Sequence, residues 1–363
     1  MAFHKDLSTY FKFQHIGFII SLCSLGAVVA SKFPGILTTD TLRIFYKAPT
    51  LNFVFWAAIG FSFIAAIYGL LVAENKKTTY INLASIMLAF LIYLLPAFDY
   101  EIGQGTITIG LDWLIIDLLL TGLIFTPFEL FAPLHPSQSK FHANWKTDLT
   151  YFIVFDLSIK FILLAIRFPA LYFFTNPAYA QFQSKIQAIP FPLQLLMALI
   201  IADFFQYARH YTAHKIPFLW KFHSIHHSPE NMDWLAGSRS HLCDLIFDRS
   251  VIFMPIYFLG FSTPVFLSYT FVVAFQSVWA HTNSHINLGF LKYVIVTPQF
   301  HHWHHAKEKD AHDKNFAVHF PFIDMLFGTY QSLENGHPQS TGVPDPTFPK
   351  QGYLKQFLYP FKR

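Results

Sequence analysis

"LNFVFWAAIGFSFIAAIYGLLVA", Leu51 to Ala73, carries neither a charge nor a proline from end to end. About 20 such residues suffice to cross a bilayer as a helix, so this stretch reads as a transmembrane span. Similar runs lie on both sides of it: 15–30, 80–98, 109–131, 150–174 and 191–208. Two shorter apolar runs between Leu245 and Ala280, broken by "GFSTP", read as a tight or re-entrant hairpin rather than two full spans.

Composition agrees. Of 363 residues, 53% are hydrophobic and 13% charged, with 44 Phe, whereas soluble domains carry about 25% charged residues. Mean hydropathy is +0.38. The fold class expected is an all-α integral membrane protein: a bundle of about six spans, a short apolar hairpin, and a cytosol-facing, histidine-rich helical cap. Its divisions are an N-terminal transmembrane region at 1–149, a histidine-box domain at 150–335 and a tail at 336–363, whose Pro/Gly-rich start reads as a surface arm. The stretch before residue 15 shows no cleavable signal pattern, so 15–30 reads as a retained anchor. Cys23 and Cys243 suggest neither a disulfide framework nor a cysteine-held cluster. The net charge of +4 contains no basic run of the kind that binds nucleic acid.

Short loops holding Lys76, Lys77, Lys140 and Lys146 alternate with the acidic loop 99–108, which puts the basic loops and the histidine-rich region in the cytoplasm. Loop 31–50, with Lys32, Arg43 and Lys47, fits that alternation badly.

Most of the 19 histidines follow position 209. "HYTAH" spaces His210 and His214 four apart, and "HSIHH" sets His223, His226 and His227 at i, i+3 and i+4. "HTNSH" repeats the four-residue step with His281 and His285, and "HHWHH" sets His301, His304 and His305 again at i, i+3 and i+4. Helical residues three and four apart lie about 5–6 Å from each other at Cβ, within reach of one metal ion or two neighbouring ones. Each cluster alone has a plainer reading: surface histidines, an interfacial polar patch or the wet end of a helix. Four clusters on one side of the membrane favour metal, because dense buried imidazoles would otherwise each need a partner. Imidazole suits Fe, Zn, Cu and Ni. In "FHHWHH" one helical register groups His301, His304 and His305, sets His302 at their edge and turns Trp303 away; the competing register pairs His302 with His305.

The motifs "HYTAH", "LWKFHSIHHS", "SRSHLCD", "HTNSH", "TPQFHHWHH" and "NFAVHFPFIDMLFGTY" all lie between Asp203 and Tyr330. Together they resemble the membrane fatty acid hydroxylase/sterol desaturase superfamily. The resemblance implies ten ligands: His210, His214, His223, His226, His227, His281, His285, His301, His304 and His305. It further implies two iron ions, dioxygen as co-substrate, and hydroxylation or desaturation of a membrane lipid such as a sterol or fatty acyl lipid entering from the bilayer. No catalytic residue beyond the ligands is implied. Ten nitrogens on two metals leave about five each and an open position for dioxygen, and oxidation of an unactivated C–H bond needs such a redox centre. Zinc, lacking redox chemistry, would be a substitute, and no HExxH zinc-hydrolase motif occurs. Tyr211 stands where the family often has Arg, and Asn315-Phe316-Ala317 replaces its "NYG"-like element.

Four further residues are candidates for the surrounding shell. Asp203, two turns before His210, either accepts a ligand's ring N–H or pairs with Arg209 or a lysine. Asn283 either reaches a metal-bound water or is a solvated turn residue; His241 is a hydrogen-bond partner; His302 is an outer-shell or substrate-side group. No haem or flavin motif is fused to the chain, so a separate ferredoxin, cytochrome or reductase is expected to supply electrons. The tail "YPFKR" lacks a dilysine-type signal, which favours the bacterial inner membrane over the endoplasmic reticulum. Two rivals remain: a histidine-rich metal transporter, whose ligands would lie near mid-membrane, and a catalytically inactive lipid-binding homologue.

Overall fold

The computed structural model describes residues 13–39, 42, 49–72, 76–96, 108–174, 177–333 and 336–362. Most of loop 99–108, with Arg43 and Lys47, lies outside the described residues. Among the described residues the chain is helical, with no strand. Six helices are long and apolar enough to cross a membrane: α1 (Phe13–Lys32), α2 (Pro49–Val72), α4 (Leu111–Phe131), α5 (Trp145–Phe174), α7 (Phe191–Lys215) and α10 (Thr263–His281). The chain is an integral membrane protein.

The membership of that set differs from the sequence reading. The run at 80–98 gives α3 (Lys77–Tyr93), a helix of 17 residues, because Pro96 disfavours helical geometry just before it. The expected short hairpin is two full-length helices, α9 (Leu242–Leu259) and α10, of 18 and 19 residues. They are joined at Gly260, whose φ of 65° is left-handed. A Cβ there would lie 2.5 Å from the Gln183 side chain, so glycine is required twice over.

The chain divides into two compact units, 1–123 with 139–142, and 124–138 with 143–363. In the first, α1, α2 and α3 meet through small side chains: Ser21, Ser62, Ala65, Ala66, Thr79 and Ala89 are buried. Contact is close enough that a Cβ on Gly17 would stand 2.3 Å from that of Ala65. Bulky residues such as Phe53, Phe63 and Leu71 face outward. Hydrocarbon solvates them as well as a core would, so close backbone approach is what drives this packing. Asn82 donates to the Ser62 carbonyl at 3.1 Å, one buried polar bond inside the bundle.

The second unit has a core of Ile162, Ile166, Ile252, Phe253, Ile256, Val265 and Tyr269 between α5, α7, α9 and α10. One end is stitched by the glutamines of α6 (Pro177–Gln187). Gln183 donates to the Phe174 and Phe258 carbonyls at 3.2 and 3.1 Å, and Gln187 to that of Gly260 at 2.8 Å. At the other end the C-termini of α7 and α10 and the N-terminus of α9 carry the polar residues described next. The tail is packed rather than a free arm: Phe348 is buried with Tyr151 and Ile225, and Tyr353 meets Tyr151 edge to face at 4.8 Å.

Candidate metal centre

The histidines stand on short, defined pieces. His210 and His214 occupy the last turns of α7, after which Pro217 opens α8 (Pro217–His223) and delivers His223 at its end. His226 and His227 follow in a turn whose N–H groups bond back to the His223 carbonyl. His281 is the last residue of α10. In α11 (Pro298–His304), Thr297 caps the start by accepting the Phe300 N–H at 3.2 Å, and Pro298 takes the first position, where no N–H is needed. This helix presents His301 and His304, with His305 at its C-cap.

These rings form two groups. His210, His214, His223, His227 and His304 each offer a nitrogen within 4.8 Å of all the others, and so do His226, His281, His301 and His305. The motifs interleave. Of "HSIHH", His223 and His227 join the five-histidine group and His226 the four; of "HHWHH", His304 joins the five and His301 and His305 the four. The groups adjoin, with His227 and His305 stacked at 4.4 Å.

Hydrogen bonds aim the rings. The Nδ1 of His210 donates to the Phe316 carbonyl and that of His304 to the Lys314 carbonyl, both at 2.8 Å. The Nδ1 of His226 meets the Arg239 carbonyl at 3.1 Å and that of His281 the Ser277 carbonyl at 2.7 Å. A carbonyl only accepts, so in these four rings Nδ1 carries the proton and Nε2 keeps its lone pair. His223 Nδ1 is 3.0 Å from Asp244, itself bound to Arg209, and His214 Nδ1 is 3.4 Å from Asp313. The freed Nε2 atoms of His210, His223 and His304 are buried without any hydrogen-bond partner. Elsewhere nitrogens face one another: His214 and His227 Nε2 at 3.1 Å, and His301 Nε2 at 3.0 Å from those of both His281 and His305.

Burial, and then neighbouring imidazoles, holds His223, His227, His301, His304 and His305 well below the usual histidine range; burial also pushes His226 down to about 4. They are neutral at physiological pH, as metal ligation requires. Buried, uncharged, inward-facing nitrogens with no other partner fit bound metal ions, and an all-imidazole donor set suits iron, zinc, copper or nickel over magnesium or calcium.

The remaining candidates are placed elsewhere. His285 belongs to neither group; it is exposed and meets His337 edge to face at 5.2 Å. Among the described residues Asp203 touches no ligand ring and no cation: its carboxylate accepts the main-chain N–H groups of Val318, His319 and Phe320 at 2.8, 3.1 and 2.7 Å. Asn283 is turned to the main chain of His135, accepting its N–H at 2.8 Å and donating to its carbonyl at 3.1 Å. His241 caps α9 by accepting the Cys243 N–H at 3.0 Å. His302 is fully buried outside both groups, and Trp303 packs in a cluster with Phe300, Phe316 and Leu333.

The sequence reading singled out "NFAVHFPFIDMLFGTY" but gave the loop 313–320 no part in aiming the histidines. Asp324 accepts the N–H of Phe316 and of Ala317, both at 2.8 Å, while Asp203 holds the next three residues. Asn315, in the left-handed region at φ 58°, donates to the Phe300 carbonyl at 3.0 Å. So pinned, the loop supplies the carbonyls that orient His210 and His304 and the carboxylate near His214. Arg239, ion-paired with Asp148, similarly fixes the carbonyl that receives His226.

Residues 195–329 match the profile of the fatty acid hydroxylase family. Over 174 residues the chain is 33% identical to ornithine lipid hydroxylase OlsE of Rhizobium tropici, covering 48% of this chain and 52% of that one. Over 172 residues it is 28% identical to human alkylglycerol monooxygenase, 46% of this chain and 38% of that one. Over 151 residues it is 30% identical to the very-long-chain aldehyde decarbonylase GL1-1 of Oryza sativa subsp. indica, 38% of this chain and 24% of that one. The chain thus spans about half or less of these relatives. No solved structure matches it. Residues 195–329 thus carry a fatty acid hydroxylase domain, and over about half its length the chain is similar to lipid hydroxylases and monooxygenases.

Proposed function

We propose that the protein is a dioxygen-dependent hydroxylase of a polar membrane lipid, with two iron ions held by the five- and four-histidine groups. The observation that carries this reading is the convergence of nine imidazoles, seven of them buried and two half-buried, into two adjoining sets. When bound, the iron pair supplies the redox chemistry for oxidising an unactivated C–H bond, which side-chain acids and bases cannot perform. The protein's own part is to aim the ring nitrogens through carbonyls and carboxylates and to keep them unprotonated by burial. Two relatives named for ornithine lipid hydroxylation and alkylglycerol monooxygenation favour a lipid with a polar head and a long chain over a sterol.

The histidines lie at the ends of α7 and α10 rather than midway along them, which speaks against a transporter. Lys215 and Lys221 beside them favour the cytoplasmic face, in our reading that of a bacterial inner membrane. Electrons then come from a separate ferredoxin, cytochrome or reductase.

The test is lipid mass spectrometry of cells expressing the wild type or His304→Ala, with iron measured on the purified proteins. Wild type should hold close to two irons and add a single oxygen to one lipid class. Iron bound without any oxygen-dependent lipid change would sink the hydroxylase reading.

A further inference from the structure

The segment 348–362 lies outside the residues that match the family profile. Its short helix, α12 (Tyr353–Phe357), rests on the first turns of α5: the Gly352 N–H donates to the Thr147 hydroxyl at 3.1 Å, and Tyr353 meets Tyr151. Phe357 stacks on His241 at 4.6 Å, and Gln356 is buried. Tyr353, Gln356 and Phe357 thus take the inner face of α12. Leu354 and Leu358, four apart, share the outer face and are 65% and 45% exposed. The exposed surface continues through touching rings: Phe361, 59% exposed, meets Phe222 at 5.7 Å, and Phe222 meets Phe218, 66% exposed, at 5.4 Å. Lys221, Lys355 and Lys362 stand exposed beside these residues, and residues 350–362 contain no acid. The nearest acids in sequence are engaged elsewhere: Asp345 accepts from Thr347 and Tyr359, and Asp148 pairs with Arg239.

We propose that Phe218, Leu354, Leu358 and Phe361, flanked by Lys221, Lys355 and Lys362, form a pad that lies in the bilayer surface and takes anionic lipid headgroups. Exposed large apolar side chains bordered by lysines are what an interfacial membrane contact requires: the apolar groups bury at the headgroup boundary while the ammonium groups reach phosphate. The pad stands at that level. Phe218 follows the end of the spanning helix α7 at Lys215 by three residues. The 30 residues of α5 extend about 45 Å, the thickness of a bilayer with its headgroup layers, about 40–45 Å, so its first turns, on which α12 rests, lie among the headgroups. Three lysines without an acid beside them select an anionic surface. The contact has a further effect inside the protein. Phe348 packs with Ile225, between His223 and His226, and Phe361 on Phe222, so a seated pad braces the turn that delivers three histidines to the metal centre.

The experiment puts a nitroxide label at Leu358→Cys, on a Cys23→Ser/Cys243→Ser background, in the full-length protein held in nanodiscs of phosphatidylglycerol or phosphatidylcholine. Its collisions with oxygen, which partitions into lipid, are compared with those of a water-soluble nickel chelate. In phosphatidylglycerol oxygen should dominate several-fold, and Lys355→Glu/Lys362→Glu should reverse the ratio. Salt at about 1 M, where the screening length is about 3 Å, should bring the phosphatidylglycerol value down to that in phosphatidylcholine. A second label, at Leu354→Cys, repeats the reading at an equally exposed position, so the result does not hang on one variant. Nickel dominating at both positions in phosphatidylglycerol would overturn the pad, and equal ratios in the two lipids at low salt would overturn its choice of anionic headgroups. Labels shielded from both reagents in discs that hold two chains would assign the patch to a second copy of the protein and overturn the lipid contact. The readout uses neither bound iron nor lipid oxidation, so failure of the hydroxylase reading would leave it unchanged.

Discussion

The five- and four-histidine groups draw on the same two motifs but are held differently. In the five-histidine group, His210, His304, His223 and His214 each have Nδ1 against a carbonyl or carboxylate, and three of those partners come from the Asp313–Phe316 loop. In the four-histidine group only His226 and His281 are held in this way; the Nδ1 atoms of His301 and His305 are buried with no partner. One group therefore has more donors and stiffer ones. Orienting partners of this kind typically change metal affinity about 10–100-fold, so the five-histidine group should be the tighter of the two and the four-histidine group the more exchangeable.

The most severe test exchanges ligands between the groups. His227→Ala should abolish turnover and leave at most about one tightly held iron, whereas His305→Ala, also inactive, should retain the ion of the five-histidine group. If chelator removes iron at the same rate from both variants, the groups are not unequal.

A pH series on metal-free protein comes next. The ordinary histidine value is near 6.5, and in the folded state burial holds His226 and His319 near 4. Between these values the unfolded chain binds more protons than the folded one, so stability rises with pH there and is lost as pH falls from about 6.5 towards 4. Each such group contributes about 1.4 kcal/mol per pH unit in that window. Thermal melting of the metal-free protein should therefore drop steeply between neutral pH and pH 5, and a flat profile would mean that the rings are not kept neutral.

Asp324→Asn should weaken metal binding by about 10–100-fold in the five-histidine group alone, because Asp324 holds the N–H groups of Phe316 and Ala317 and, through them, the carbonyl on His210. An equal loss from both groups, read by stepwise chelation, would count against the separate wiring. The smallest effect is expected from Gly237→Ala. Its Cβ would lie 3.1 Å from the His281 ring, so the ring must give by a few tenths of an ångström. A loss of a few-fold, confined to the exchangeable ion, is the expected reading.

Much of this was legible in the sequence. Spans could be read from apolar runs because a bilayer demands length and hydrophobicity from each segment separately. Nine of the ten histidines named from the sequence fall in the two groups, but each i, i+3, i+4 triplet is divided between them, and His226 and His227 stand in a turn rather than on a helix. The orienting partners were not legible, since most are main-chain carbonyls, and every residue has one. Nothing in "DKNFAVHF" marks Lys314 or Phe316 as the residue whose carbonyl will meet a histidine; that is decided by Asp203 and Asp324 gripping the loop from both sides. Asp203 misled for the same reason: its helical phase suggested a ring, while its actual partners are amides more than a hundred positions later. His285 continues the four-residue rhythm from His281, but the helix ends at His281, so helical spacing no longer applies beyond it.

The doubly gripped loop also sets an order of events during synthesis. His210 leaves the ribosome about a hundred residues before the Phe316 carbonyl that aims it, and the loop is not secured until Asp324 has followed. A growing chain already threaded into the bilayer through α7 thus has imidazoles but no centre. The full set of aimed nitrogens can exist only once nearly all of the domain has been translated.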